Sequence, residues 1–377
     1  MTASASILRG SGREVSSIAG PTRPASPHPA DWDAFVLQAP GGDLVQSSLW
    51  AAAKRPLGFE AHQLTVRNDD DAVAGAALLL LRRLGPLGAV GYIARGPLLA
   101  PGAEAAVGRV LDEIERAARR LSVRHLVIQP PAGCETMAEA LAARGYTVGA
   151  LEVAPSATLL IDLEPGTDAL LAAMSSSARR SVRQAQRRGV WLRHGDAEDL
   201  ELFHRLHAAT ASRRGFAPVS MAYLRHHWDA LRPRGAAELI LACHEGRTFA
   251  AVLLTAFGDT VTARLSGWTG EWAHLHGSAA CEWEAIRWAK EAGYRRYDVG
   301  GIDQAFAQLL LGGAPVPEAM LRSPAAFKAA FGGRPVLLPG AWQRTLTPVL
   351  RPAARAVIAG IGRSDRLRAC IERLRKG

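Results

Sequence analysis

The feature that most constrains this chain is an order of elements that runs as far as Pro165 and then starts again. In the first pass Asp31 is placed to N-cap a helix carrying Trp32, Phe35 and Val36. QSSLWAAAKRPLGFE reads as a second helix, stopped at or before Pro56 because proline cannot continue it. Three strand-like runs follow, HQLTVRN, AVAGAALLLLRRL and AVGYIARGPLLA, and Pro101 and Gly102 break the chain. Val107, Leu111, Ile114 and Ala118 then share one helical face. HLVIQPPAG is a buried strand, MAEALAARGY a helix and SATLLIDL a further strand.

After Pro165 the order recurs. TDALLAAM and SSSARRSVRQAQRRGV are helical, VWLRHG is a strand, and DLELFHRLHAATASRRGF is a helix closed by Gly215. MAYLRHHWDAL adds a helix, and AELILACHEG, TFAAVLLTAFGD and TVTARLSGWT add strands. A helix from about 279 to 292 and the strand RRYDVGGI complete the unit. Helices and strands mixed in two similar runs predict a duplicated α/β (α+β) architecture, although the halves share no convincing identity. A chain of 377 residues has room for two domains, and with 48% hydrophobic residues it can build their cores. The expected organisation is a flexible Ser/Ala/Pro/Gly-rich tail over 1–30, one domain over 31–165 and another over 166–323. Residues 324–343 are too few for a third domain, and 344–377 read as a basic helical extension with apolar faces.

The net charge of +10 favours phosphate-bearing or polyanionic partners, or is simply a solvated basic surface. Cys134, Cys243, Cys281 and Cys370 are scattered, which suits reduced, small buried thiols rather than a zinc knuckle or a redox pair. The eleven histidines show no metal-ligand spacing, so no metal is expected. The first thirty residues lack the apolar core of a secretion signal, and no run reaches the length of a membrane span. The expectation is a cytoplasmic, soluble protein.

Six segments, in this order and spacing, resemble the Fem family of peptidoglycan-bridge aminoacyltransferases: QSSLWAAAK, YIARGP, ARRSVRQAQRRGV, TASRRGF, AGYRRYDVGGI and AAFKAAFGG. They span about residues 31–340. The resemblance implies two tandem GNAT-like acyltransferase domains, with residues 324–343 returning to complete the first. It implies transfer of an amino acid from aminoacyl-tRNA to an amine of a nucleotide- or lipid-linked muropeptide, with no cofactor. Only RPRGAAE joins the helix ending at Leu231 to the strand near Leu239, so there is no coiled-coil arm. That matches the shorter, FemX-like form. Leu98, Leu99 and Ala100 follow the RGP segment where the family often has an acidic residue, so no carboxylate base is available there.

Attack of an amine on an activated ester needs positioning and a cation near the developing oxyanion. The resemblance puts Phe327 and Lys328 in the active-site channel, making them the catalytic choices; without it Lys328 reads as a surface lysine. It places a phosphate-binding lysine at Lys54, with Arg213 or Arg214 as the partner cation. Tyr92 and Tyr223 would touch the acceptor through their hydroxyls, or simply pack. Arg180, Arg183 and Arg187 share one helical face, which suits tRNA phosphates or is merely solvated. Asp298 reads as a turn residue of DVGGI, and Trp268, Trp272, Trp283 and Trp288 as core or cleft wall. A monomer is expected, with the C-terminal basic helices touching the anionic inner face of the membrane.

Two enzymatic rivals and one binding role compete. An acetyl-CoA N-acyltransferase needs a glycine-rich loop at a helix N-terminus for the CoA pyrophosphate. WAHLHGSAA and LLAPGAEAA each offer one glycine, Gly277 and Gly102, so this rival ranks second. The second rival keeps tRNA as donor and changes the acceptor to a peptide natural product or another small amine. A non-catalytic cell-wall or membrane binding protein would have no use for Lys54, Arg214 and Lys328 together.

Overall fold

The structure, a computed structural model, describes residues 29–85, 88–149 and 153–346. Most of the expected tail, and the basic extension from 347 on, lie outside the described residues.

The first half runs α1 (Pro29–Gln38), α2 (Ser48–Lys54), β1 (Glu60–Arg67), β2 (Val73–Arg83), β3 (Ala89–Ala94) and β4 (Leu98–Leu99). It continues with α3 (Val107–Arg120), β5 (Val123–Gln129), α4 (Glu135–Ala143) and β6 (Thr147–Val148). Then come β7 (Ala157–Asp162), α5 (Thr167–Ala173), α6 (Ser176–Arg187), β8 (Trp191–His194), α7 (Leu200–Arg214) and α8 (Met221–Leu231). The strands β9 (Ala237–His244), β10 (Arg247–Phe257) and β11 (Thr260–Trp268) precede α9 (Gly277–Glu291) and β12 (Arg296–Asp298). Last are α10 (Gln304–Leu311), α11 (Pro324–Ala329), β13 (Arg334–Leu337) and β14 (Trp342–Thr345).

Two seven-stranded sheets result. One has the order β1-β2-β3-β5-β14-β6 with β4 beside β2; the other is β13-β7-β12-β11-β10-β9-β8. The strand β7, read from sequence together with the first unit, lies in the second sheet between β12 and β13. Both its neighbours are more than 130 residues away, so no local pattern announces the pairing. The returning segment divides in the same way. β13 stays on the second sheet, and only β14 crosses to pair with β5 and β6 of the first.

The apolar run of β2 is buried on both faces, and its alternation sorts the residues into two cores. Leu79 and Leu81 pack with α3, whereas Leu78 and Leu80 face α1, α2, α7 and α8. The second sheet does the same: Leu239, Leu241 and Leu253 join that central core, while Ile240, Val252 and Leu254 pack against α6 and α9. The central helices are thus sandwiched between the two sheets, and α2 of the first half meets α8 of the second.

Gly267 of β11 shows how closely α7 approaches its sheet. A Cβ there would lie 2.7 Å from both the backbone nitrogen of His207 and Cβ of Leu206. Gly267→Ala is therefore expected to destabilise the protein by about 1–3 kcal/mol, read as a lower denaturation midpoint at unchanged slope.

Candidate functional site

Three serine caps set three of the expected side chains. Ser47 accepts from the backbone of Trp50 at 3.1 Å, Ser220 from Tyr223 at 3.1 Å and Ser323 from Ala326 at 3.2 Å. Each satisfies an orphan amide at a helix start, a contribution of about 1 kcal/mol that also fixes where the helix begins. Lys54 sits in the last turn of α2, Tyr223 in the first turn of α8, and Lys328 one turn into α11, after Pro324.

At the seam of α2 and α8, Lys54 is only 2% exposed, and its ammonium is boxed by aromatic rings. Its Nζ lies 4.9 Å from the Tyr223 ring, 5.1 Å from Trp50 and 5.4 Å from Phe59. Tyr92 meets Phe59 edge to face, with centroids 5.8 Å apart. A second cation joins them from the other domain: the Arg264 guanidinium stands 4.7 Å over the Trp50 ring. Its position comes from a bulge. Leu253 pairs with Leu265 and Leu254 with Ala263, which leaves Arg264 as the extra residue of β11. Tyr223, His227 and Arg264 line one small cavity. His227 Nδ1 donates to the Tyr223 carbonyl at 2.8 Å, and its buried Nε2 has no partner among the described residues. Burial, then the nearby Lys54 charge, hold this imidazole well below the usual histidine range, so it is neutral.

One residue earlier on the same strand lies the other end of the cleft. β11 and β12 run parallel only over Thr260–Thr262 and Arg296–Asp298; β12 then turns through Gly300 and Gly301 while β11 continues to Trp268. Lys328 reaches this parting and donates to the Gly301 carbonyl at 2.9 Å. Gly300 has φ +79°, and a Cβ there would sit 2.5 Å from the Ala263 carbonyl oxygen and 3.3 Å from Lys328 Nζ, so glycine is required. Asp298 caps the turn: it accepts from the Thr158 hydroxyl and, at 2.7 Å, from the Gly300 amide. Burial raises the Asp298 carboxyl and lowers the Lys328 ammonium from their ordinary values, and each is partly restored by the other's charge. Phe327, 41% exposed, packs edge to face on Phe331 at 5.2 Å.

Asp43 ties the two ends together electrostatically, since its charge acts on both Arg264 and Asp298. Arg95, buried and left-handed at φ +54°, lies 4.0 Å from Asp43 and donates to the Pro155 carbonyl at 2.6 Å.

The remaining expected residues are placed differently. Arg213 stacks on Trp268 at 4.7 Å and donates to the carbonyls of Trp268 and Thr269, which pins α7 to the end of β11. Arg214 is exposed at the C-terminus of α7. Arg180, Arg183 and Arg187 are exposed along α6, whereas Arg179 and Arg188 bond to backbone carbonyls. The start of α6 adjoins the Lys328 helix, because the Ser175 amide donates to Ala330 at 2.8 Å. Among the described residues, no group of three or more His, Cys, Asp or Glu is arranged to hold a metal, and no helix is long and apolar enough to cross a membrane.

Sequence reasoning passed over Arg264, His227 and Glu282. The signal for Glu282 was an acid on the buried face of an otherwise Ala- and Trp-rich helix; for Arg264 it was a lone arginine inside a strand. The bulge that aims Arg264 into the cleft leaves no local mark.

The sequence and the fold have known counterparts. Over 220 residues the chain is 30% identical to the lipid II:glycine glycyltransferase of Staphylococcus aureus, covering 55% of this chain and 52% of that protein. The chain thus spans about half the length of the curated relatives it matches. The crystal structure of FemX superposes with a TM-score of 0.74 at 21% identity, covering 89% of this chain and 99% of that one. A tandem GNAT protein from the clavulanic acid pathway gives a TM-score of 0.53 at 15% identity, over 84% and 94%. These likenesses show the fold, a pair of GNAT-like units. The FemAB family model matches residues 28–248, more than half of the sequence, and the chain belongs to the FemAB family.

Proposed function

We propose that this protein transfers an amino acid from aminoacyl-tRNA to an amine of a peptidoglycan-precursor stem peptide, the acceptor being nucleotide- or lipid-linked. The observation that carries the reading is the cleft itself. Lys54 and Arg264 converge on Trp50 at one end, and Lys328 faces the glycine turn at the other, joined by consecutive residues of β11. Two cations over one indole favour a diphosphate-bearing ligand. The parting of β11 and β12 gives room for an ester carbonyl beside Lys328, whose ammonium would meet the oxyanion as it forms. Phe327 would pack against the donor. The exposed arginines of α6, beginning beside α11, give the tRNA phosphates a path. A lipid-linked acceptor would bring the enzyme to the inner face of the membrane, the role suggested for the basic C-terminal helices. The two units proposed for this work are the one built on the first sheet, completed by β14, and the one built on the second sheet, which takes β7 and β13.

The start of α9, where acetyl-CoA would need its glycine loop, supports tRNA over CoA as donor. His276 precedes Gly277 in a left-handed conformation, its ring bonded to Gln184 at 2.9 Å, and Arg188 donates to the His274 carbonyl. Gly277 itself is closed off by Phe249, whose ring carbons would lie 2.4 and 2.5 Å from a Cβ.

The test offers purified protein a nucleotide-linked muropeptide with either a pool of charged tRNAs or acetyl-CoA, and reads the acceptor by mass spectrometry. Growth by one aminoacyl residue with charged tRNA alone is the expected result. An acetylated product from acetyl-CoA, with none from tRNA, would reverse the assignment of donor.

A further inference from the structure

Gln129 closes β5 with a side chain that the proposed chemistry does not use. It is 0% exposed, and its amide is fully engaged. Oε1 accepts from the backbone amides of Val153 and Ala154, at 3.2 and 2.8 Å. Nε2 donates to the carbonyls of Ala154 and Pro339, at 3.1 and 2.9 Å. Two acceptor and two donor positions are all that a side-chain amide has, so this set fixes its orientation. The partners belong to the two places where the chain changes sheets. Residues 153–156 carry it into β7 of the second sheet, and 338–341 carry it from β13 back to β14 of the first. These crossings also pair with each other, the Leu338 amide donating to the Ser156 carbonyl at 2.8 Å.

We infer that Gln129 is a positioning residue for Lys328: by clamping both crossings it seats Pro155 against the glycine turn that holds the cleft lysine. This rests on the catalytic reading of Lys328 given above. Contacts link the two residues step by step. Next to Ala154 is Pro155, whose carbonyl accepts from Arg95 at 2.6 Å. A Cβ on Gly301 would lie 2.7 Å from both Cβ and Cγ of Pro155, so the proline ring rests on that glycine. The Gly301 carbonyl in turn accepts from Lys328 at 2.9 Å. The clamp is anchored in the first sheet, where the Gln129 carbonyl accepts from the Gly96 amide, beside Arg95, at 3.0 Å. The phosphate end is held by other means: α2 and α8 pack directly in the central core and bring Lys54 to Tyr223. Loosening the crossings therefore shifts the Lys328 end and leaves the acceptor's anchor in place. A misplacement of about 1 Å at a reacting group is enough to cost about 100-fold in rate.

The test compares Gln129→Met and Gln129→Glu with wild type in the full-length protein, using charged tRNA and a nucleotide-linked muropeptide. Gln129→Met removes the clamp. It is expected to lower kcat by about 10- to 100-fold, while the muropeptide Kd, measured without donor, changes by no more than about twofold. Gln129→Glu is the conservative variant. Its protonated carboxyl can still accept from Val153 and Ala154 and donate once, whereas its ionised form sets a charge against two carbonyls. Burial favours the protonated form, so the ratio of its kcat to that of wild type should be highest at low pH and fall as pH rises. Hydrogen exchange gives a readout independent of turnover. The amides of Gly300 and Ile302 are bonded to Asp298 and Ala157. They should exchange faster in Gln129→Met, with α2 and α8 exchanging as in wild type. If Gln129→Met does not fold, the same two readouts in Gln129→Glu, at low and at high pH, carry the test. A folded Gln129→Met with wild-type kcat, or with wild-type exchange at the glycine turn, overturns the inference; so does a loss carried by Kd rather than kcat. If wild type itself does not turn over the muropeptide, the aminoacyl-transfer reading fails instead, and exchange at the turn alone judges the clamp.

Discussion

Lys328→Met is expected to lower kcat by about 100-fold or more at saturating substrates, with little change in acceptor KM. The side chain already faces the parting of β11 and β12 and is held there by the Gly301 carbonyl, so its ammonium needs no rearrangement to meet a reacting group. In the ground state an ester carbonyl carries only partial charge, and the negative charge that rewards a cation appears in the tetrahedral species. An interaction made mainly in the transition state is lost from kcat rather than from KM. Methionine keeps the length and apolar character of the stem, so a matching thermal midpoint separates lost charge from lost packing. Wild-type kcat in a folded Lys328→Met would return this residue to an ordinary side chain at a turn.

For Lys54→Met the expected effect is on binding: a rise in acceptor KM of about 10- to 100-fold, with kcat largely retained. The acceptor's diphosphate has the same charge before and during reaction, so a cation against it stabilises both states equally. Lys54 is pre-set for the task by the aromatic box of Trp50, Phe59 and Tyr223, which fixes an otherwise flexible ammonium. Arg264→Met should act in the same direction, because its guanidinium shares the Trp50 ring. Arg214, exposed at the end of α7, should matter less. Steady-state kinetics of the three variants with one acceptor decide the matter: equal KM values for Lys54→Met and wild type would move the phosphate site elsewhere.

The sequence alone determined the local elements and their kind. Proline stops and the period of apolar residues lie within a few residues of what they control, so α2, α8 and the apolar run of β2 were legible as a helix, a helix and a strand. Lys54, Tyr223 and Lys328 could be singled out because the motifs around them are contiguous. Tertiary structure decided what depends on partners far along the chain. It put β7 in the second sheet and sent β14 alone back to the first, since strand pairing is chosen by the faces each strand must bury. It spent Arg213 on carbonyls at the end of β11 and left its neighbour Arg214 in solvent, a choice that the helix end made and that no pair of adjacent arginines reveals. Above all it aimed Arg264 through a one-residue bulge and set Glu282 against the Tyr297 hydroxyl, because the direction of a side chain and the partner it meets are fixed by packing between elements.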